Sequence, residues 1–105
     1  MVEGSWMDAT ITYLTDADLT AAVDLGRRFE KLEVFIPTLD ETTLILHAAE
    51  KLAGTYYPVG NSVSVAATTG GYKDTWIMGA VRYIKIETGT DQTANRTFRV
   101  SGTRS

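Results

Sequence analysis

Cysteine is absent from this chain of 105 residues, histidine occurs once, and proline twice. Without cysteine there is neither a disulfide framework nor a thiolate zinc site, and folding in a reducing cytoplasm is the expectation. A single histidine, His47, excludes a multi-histidine metal centre, and within its apolar segment it reads as a structural or surface residue. No apolar run approaches the roughly 18–20 residues that a helical membrane span requires. The first residues carry Glu3 and Asp8 where a signal peptide would carry a basic region, so none is expected. There is no internal repeat, low-complexity tract or interdomain linker.

What is present suits one compact domain and not two. A chain of this length buries about 60–70% of its unfolded surface, enough for one modest core without staples. The hydrophobic fraction of 44% and charged fraction of 22% are those of a soluble globular protein, which argues against disorder. Net charge is −3 and unevenly placed. From residue 82 onward Arg82, Lys85, Arg96, Arg99 and Arg104 face only Glu87 and Asp91, a local +3 that leaves −6 on the rest. Such asymmetry suits head-to-tail protein contacts or a solvated polar surface. These basic residues alternate with apolar ones and do not cluster, a pattern unlike a nucleic-acid interface.

Hydrophobic patterning is mostly of period two, which marks half-buried strands. In the run Val81-Arg82-Tyr83-Ile84-Lys85-Ile86-Glu87, one face takes Val81, Tyr83, Lys85 and Glu87 and the other takes Arg82, Ile84 and Ile86. Further strands are expected over residues 19–25, 32–36, 43–49, 55–59, 62–68, 75–78 and 97–100. Arg27-Arg28 reads as a turn, Pro37 as a strand terminator, and residues 38–43 as a polar connection. A helix over residues 40–52 competes with the strand at 43–49, because Leu44, His47, Ala48 and Leu52 also fall at helical spacing. The threonine content and the strand signals in 43–49 favour the strand. Turn signals every 8–12 residues predict an all-β fold, a single antiparallel β-sandwich or jelly roll over residues 16–105. Residues 1–15 are either an extended N-terminal arm or the first strand.

No catalytic constellation emerges. Ser62 and Ser64 lack any nucleophile elbow, and Gly70-Gly71 lacks the spacing and the Lys-Ser/Thr of a phosphate loop. The pairs Asp16/Asp18 and Asp40/Glu41 fall where turns are expected, and neither has the glycine and terminal glutamate of a calcium loop. They read as solvated turns. The aromatic residues Tyr56, Tyr57, Tyr72 and Trp76 remain, and such rings either stack on sugars or anchor protein interfaces when they are not core. Trp76 and Tyr83 are expected in the core; Tyr56, Tyr57 and Tyr72 stay open between core and binding surface.

The strand Val81-Arg82-Tyr83-Ile84-Lys85-Ile86 resembles the aromatic-Ile-basic-Ile strand of discoidin-like, galactose-binding-like sandwiches. The order Leu32-Glu33-Val34-Phe35-Ile36-Pro37-Thr38-Leu39, Leu44-Ile45-Leu46-His47-Ala48, Gly54-Thr55-Tyr56-Tyr57-Pro58-Val59 and Arg82-Tyr83-Ile84-Lys85-Ile86 resembles small virion proteins of tailed bacteriophages. Thr88-Gly89-Thr90 with Gln92, Ala94, Arg96, Thr97 and Phe98 extends the likeness, which covers about residues 23–100. The family's Ser-x-Asp-Gly-Gly turn is replaced by Ala49-Glu50-Lys51-Leu52-Ala53-Gly54, so no metal site is carried over.

The resemblance implies a non-enzymatic structural protein of a phage virion, made in the host cytoplasm. The leading form is a capsid decoration or cement protein, a homo-oligomer that binds the major capsid protein or another virion protein. The alternatives are a neck, tail or fibre component, and a carbohydrate-binding sandwich whose tyrosines stack on a glycan. Trp6, Met7, Ile11 and Tyr13 of the arm, with Tyr56, Tyr57 and Tyr72, are the expected partner contacts. No cofactor, nucleic acid or membrane partner is expected.

Overall fold

The computed structural model describes residues 2–60 and 65–104, and no helix is found among them. Six strands form antiparallel pairs: β1 (Val2–Glu3), β2 (Met7–Ile11), β3 (Val23–Ala49), β4 (Tyr57–Pro58), β5 (Val65–Thr88) and β6 (Arg96–Arg104). The all-β expectation holds, and the segment 43–49 is strand rather than helix. The start of the strand expected over 62–68 lies outside the described residues.

β3 and β5 are long because each bends from one layer of the sandwich into the other. In one layer, residues 83–88 of β5 lie between residues 44–49 of β3 and its opening pair Val23 and Asp24, and β4 adds at His47 and Ala48. In the other, residues 31–36 of β3 pair with 72–77 of β5 on one side, and residues 31–35 pair with 99–103 of β6 on the other. β6 then takes β1 and β2 along its free edge. Register shifts between Asp24 and Phe29 and between Thr38 and Thr42 mark the bends. Bulges of this kind kink a strand and sharpen its twist. Gly26 and Gly79, both in the left-handed region, sit at the first bend and at its counterpart on β5.

The core is read directly off the alternation. Leu32, Val34, Ile36, Phe98 and Val100 from one layer meet Leu44, Leu46, Ile84 and Ile86 from the other, all buried. Trp76 is buried as expected, its Nε1 donating to Asp74 Oδ2 at 3.1 Å. Tyr83 is not core. It pairs with Asp24 and Ala49 on the outer face, one residue out of phase with buried Ile84, and is half-buried.

Several boundaries differ from the sequence expectation: Arg27 and Arg28, read as a turn, lie inside β3 at its bend, and the strand expected over 55–59 is narrowed to Tyr57–Pro58. β3 continues through Pro37 and the polar stretch 38–43, because pairing with β6 ends at the Phe35–Arg99 pair. Beyond that point the imide nitrogen of Pro37 interrupts no ladder on the β6 side. Residues 19 and 20 contribute bridges, Leu19 to Glu87 and Thr20 to Ile11, and the strand proper starts at Val23.

The N-terminal segment forms β1 and β2, both paired antiparallel with β6. All five residues of β2 pair with residues 96–100. Ile11 is fully buried in the core and Met7 packs against it. Ile11 is therefore corrected from a partner contact to a core residue: strand alternation puts it, with Ala9, on the inner face.

Candidate functional site

Where β3 and β5 bend together, the sandwich opens into a cleft of about 1030 Å³. Its walls are the β3 corner with Gly26, Arg27 and Arg28, the β5 corner from Ala80 to Tyr83, and the loop after β3 with Glu50, Lys51, Gly54 and Thr55. Tyr57 of β4 completes the rim, 67% exposed.

The two corners are locked together by one ion pair. Arg82 Nε donates to Asp24 Oδ1 at 2.7 Å and its Nη2 donates to Oδ2 at 3.1 Å, a two-pronged contact between β5 and β3. The same Asp24 Oδ1 accepts the Gly26 N–H at 2.8 Å, which fixes the turn. Hydrogen bonding from Arg82 holds the Asp24 carboxyl below its ordinary range, and Asp24 in turn raises the Arg82 guanidinium further. The guanidinium also lies 5.1 Å from the Tyr83 ring centroid, a cation–π contact that leaves the residue little freedom.

The loop carrying Lys51 is tied back by Tyr56, whose hydroxyl donates to the Leu52 carbonyl at 2.8 Å, while Lys85 Nζ lies 4.7 Å from the Tyr56 ring. Burial raises the Tyr56 hydroxyl above its ordinary value. Tyr56 thus supports the loop, and its neighbour Tyr57 lines the cleft.

The other expected contact residues are dispersed. Trp6 is 43% exposed and leans on Phe35 with ring centroids 5.2 Å apart, on the opposite layer. Tyr72 pairs with Ile36 in that layer, and Tyr13 sits in the turn after β2, its N–H donating to Asn95 Oδ1 at 2.9 Å. Of the seven, only Tyr57 lines the cleft, with Tyr56 beside it bracing the loop. The sequence reading missed Arg27, Arg28, Lys51 and Arg82 as a group. The available signal was Gly26-Arg27-Arg28 and Gly79-Ala80-Val81-Arg82, two glycine-marked interruptions of strands that pair.

Among the described residues the cleft offers hydrogen-bond donors and an aromatic face, but no nucleophile paired with a base. His47 is engaged elsewhere, its Nε2 3.0 Å from Glu87 Oε1. No group of three metal-ligating side chains occurs among the described residues.

No protein-family model matches the chain, and no curated protein matches it in sequence. Solved structures do match in fold. The SPBc2 prophage-derived protein YomS aligns over 97% of both chains with a TM-score of 0.56 and 11% identity. The family 32 carbohydrate-binding module of C. perfringens NanJ, in complex with galactose, aligns over 92% of this chain and 99% of its own, with a TM-score of 0.53 and 11% identity. Chitosan-binding module 1 of a chitosanase/glucanase from Paenibacillus sp. IK-5 aligns over 90% of this chain and 92% of its own, with a TM-score of 0.52 and 11% identity. The chain is a β-sandwich of the same architecture as these proteins.

Proposed function

We propose that this chain is a non-catalytic glycan-binding module, the cleft at the bend of β3 and β5 being its binding site. The observation that carries the reading is the exposed ring of Tyr57 on the rim of an open, donor-rich cleft. A half-free aromatic face stacks on the apolar face of a sugar ring, while neighbouring donors take its hydroxyls. Structural likeness to the NanJ and chitosan-binding modules supports the same reading. Screening the protein on a glycan array and following a positive glycan by NMR titration tests it. Resonances of residues 26–28, 50–57 and 80–83 should shift, and Tyr57→Ala should abolish the shifts without unfolding the protein. Shifts confined to another face would remove the cleft from consideration.

The likeness to YomS over nearly the whole of both chains favours a second reading, a phage virion component. In that reading the protein decorates a capsid or belongs to a neck, tail or fibre, self-associates, and binds the major capsid protein or another virion protein. A stable oligomer in a native mass measurement, with no glycan shifting the spectrum, would favour this reading over the first. A monomer that responds to a glycan would favour the first.

A further inference from the structure

We infer that the saccharide this cleft takes is anionic, a sugar bearing carboxylates, an inference that rests on the glycan-binding reading and narrows it. Four cationic side chains, Arg27, Arg28, Lys51 and Arg82, line the cleft against one carboxylate, Glu50. The chain as a whole is negative, at −3. Of its six basic groups elsewhere, three are spent on carboxylates: Arg99 on Asp8, Arg96 on Asp40, and Lys73 on Glu33. At the cleft only Arg82 is spent in this way, on Asp24. Arg27, Arg28 and Lys51 form no ion pair among the described residues, and Arg27 and Arg28 are exposed in consecutive positions at the bend.

Adjacent like charges at a bulge repel one another, and a concave site concentrates their field. A neutral sugar would leave that repulsion unrelieved. A carboxylate placed between the guanidiniums relieves it and accepts two parallel N–H bonds from a planar fork. Arg82, fixed by Asp24 and Tyr83, serves as the rigid wall of the site; Arg27, Arg28 and Lys51, exposed and without an ion pair among the described residues, are available to an anion. Tyr57 faces the same space and supplies the sugar-stacking surface that a simple anion would not need. A regular acidic polysaccharide, with one carboxylate per ring, offers both features together.

The test titrates the intact protein with oligogalacturonate and with alginate oligosaccharide, each beside its carboxyl-reduced neutral counterpart, by isothermal calorimetry. The expected result is that at least one acidic oligosaccharide binds at least about fivefold more tightly than its neutral counterpart. Its affinity should fall as salt rises from about 20 to about 300 mM, where screening shortens to a few ångströms. The double variant Arg27→Gln/Arg28→Gln, altering two exposed side chains, should lose that preference and bind acidic and neutral forms alike. Arg27→Lys/Arg28→Lys should keep part of it. Equal binding of acidic and neutral forms by the unaltered protein overturns the inference and leaves glycan binding intact. A preference unchanged in the Gln variant overturns it too. Failure of every oligosaccharide, charged or neutral, to bind overturns both readings together. Equal competition by inorganic polyphosphate would show recognition of charge alone, against a saccharide site.

Discussion

Gly102 of β6 lies directly against the ring of Phe29, the first buried residue after the β3 bend. A Cβ at position 102 would overlap Cδ2 and Cγ of that ring and sit 2.8 Å from its Cβ. Phe29 is 1% exposed, so the ring has nowhere to retreat. The glycine here is a packing requirement between β3 and β6, and it sets how closely the second layer approaches the corner that carries Arg27 and Arg28.

Gly102→Ala should therefore destabilise the fold by about 1–3 kcal/mol, the usual cost of overpacking a filled core. Urea unfolding measures it. A shift in midpoint equivalent to less than about 0.5 kcal/mol would show that the ring relocates freely.

How far the fold was legible varies with the kind of signal. Alternation puts Ile84 and Ile86 on one face of their strand, and both are fully buried. It fails at corners: Pro37 and the threonines after it read as a break, whereas the chain bends through them within one strand. Tyr83 shares a strand with Ile84, but its size suggested core while its parity put it outside. The cleft was less legible still, because Arg27, Arg28, Lys51 and Arg82 come from three separate stretches of sequence that only the pairing of β3 with β5 brings together.

Acid should unfold this protein through three paired carboxylates. Asp24 is held below its ordinary 3.8 by Arg82, Glu33 below 4.5 by Lys73, and Asp40 below 3.8 by the backbone and hydroxyl of Thr93 and by Arg96. A depressed folded-state pKa contributes stability that is fully present above the unfolded value and is lost as pH falls through the folded one. Stability should hold level down to about pH 5 and decline below it. Asp40→Asn should lower stability at pH 7 and make the decline shallower. A profile as steep in the variant as in the unaltered protein would show that Asp40 takes no part.

Asp18 behaves in the opposite sense. Burial raises its carboxyl above 3.8, and the hydrogen bond that its protonated form donates to neighbouring Asp16, with the charges of Asp16, Asp91 and Glu87, adds to the rise. A raised folded-state pKa means the ionised form is disfavoured in the fold, a cost present above the folded value and absent below the unfolded one. Asp18→Asn should thus stabilise the protein at pH 7 by at most about 1 kcal/mol, the scale of partly exposed charge interactions. The gain should vanish near pH 3. Equal gain at both pH values would assign the effect to something other than charge.

The N-terminal segment gives the sharpest test of whether it serves the fold or a neighbour. Deleting residues 1–14 removes Ala9 and Ile11 from the core, and with them the strand paired along residues 96–100 of β6. Replacing one buried Ile or Leu by Ala already costs about 2–5 kcal/mol. A small domain has only about 5–15 kcal/mol to lose, and the deletion also leaves the edge of β6 bare, open to pairing with other chains. The truncated protein should be unfolded or aggregated by circular dichroism and light scattering. Trp6 is a separate matter, since its half-exposed ring touches Phe35 on the outside of the sheet. Trp6→Ala should cost only about 0.5–1.5 kcal/mol, the worth of one aromatic pair, and leave the fold intact. A soluble, cooperatively melting truncation would overturn this account and return residues 1–14 to the role of an arm that docks elsewhere.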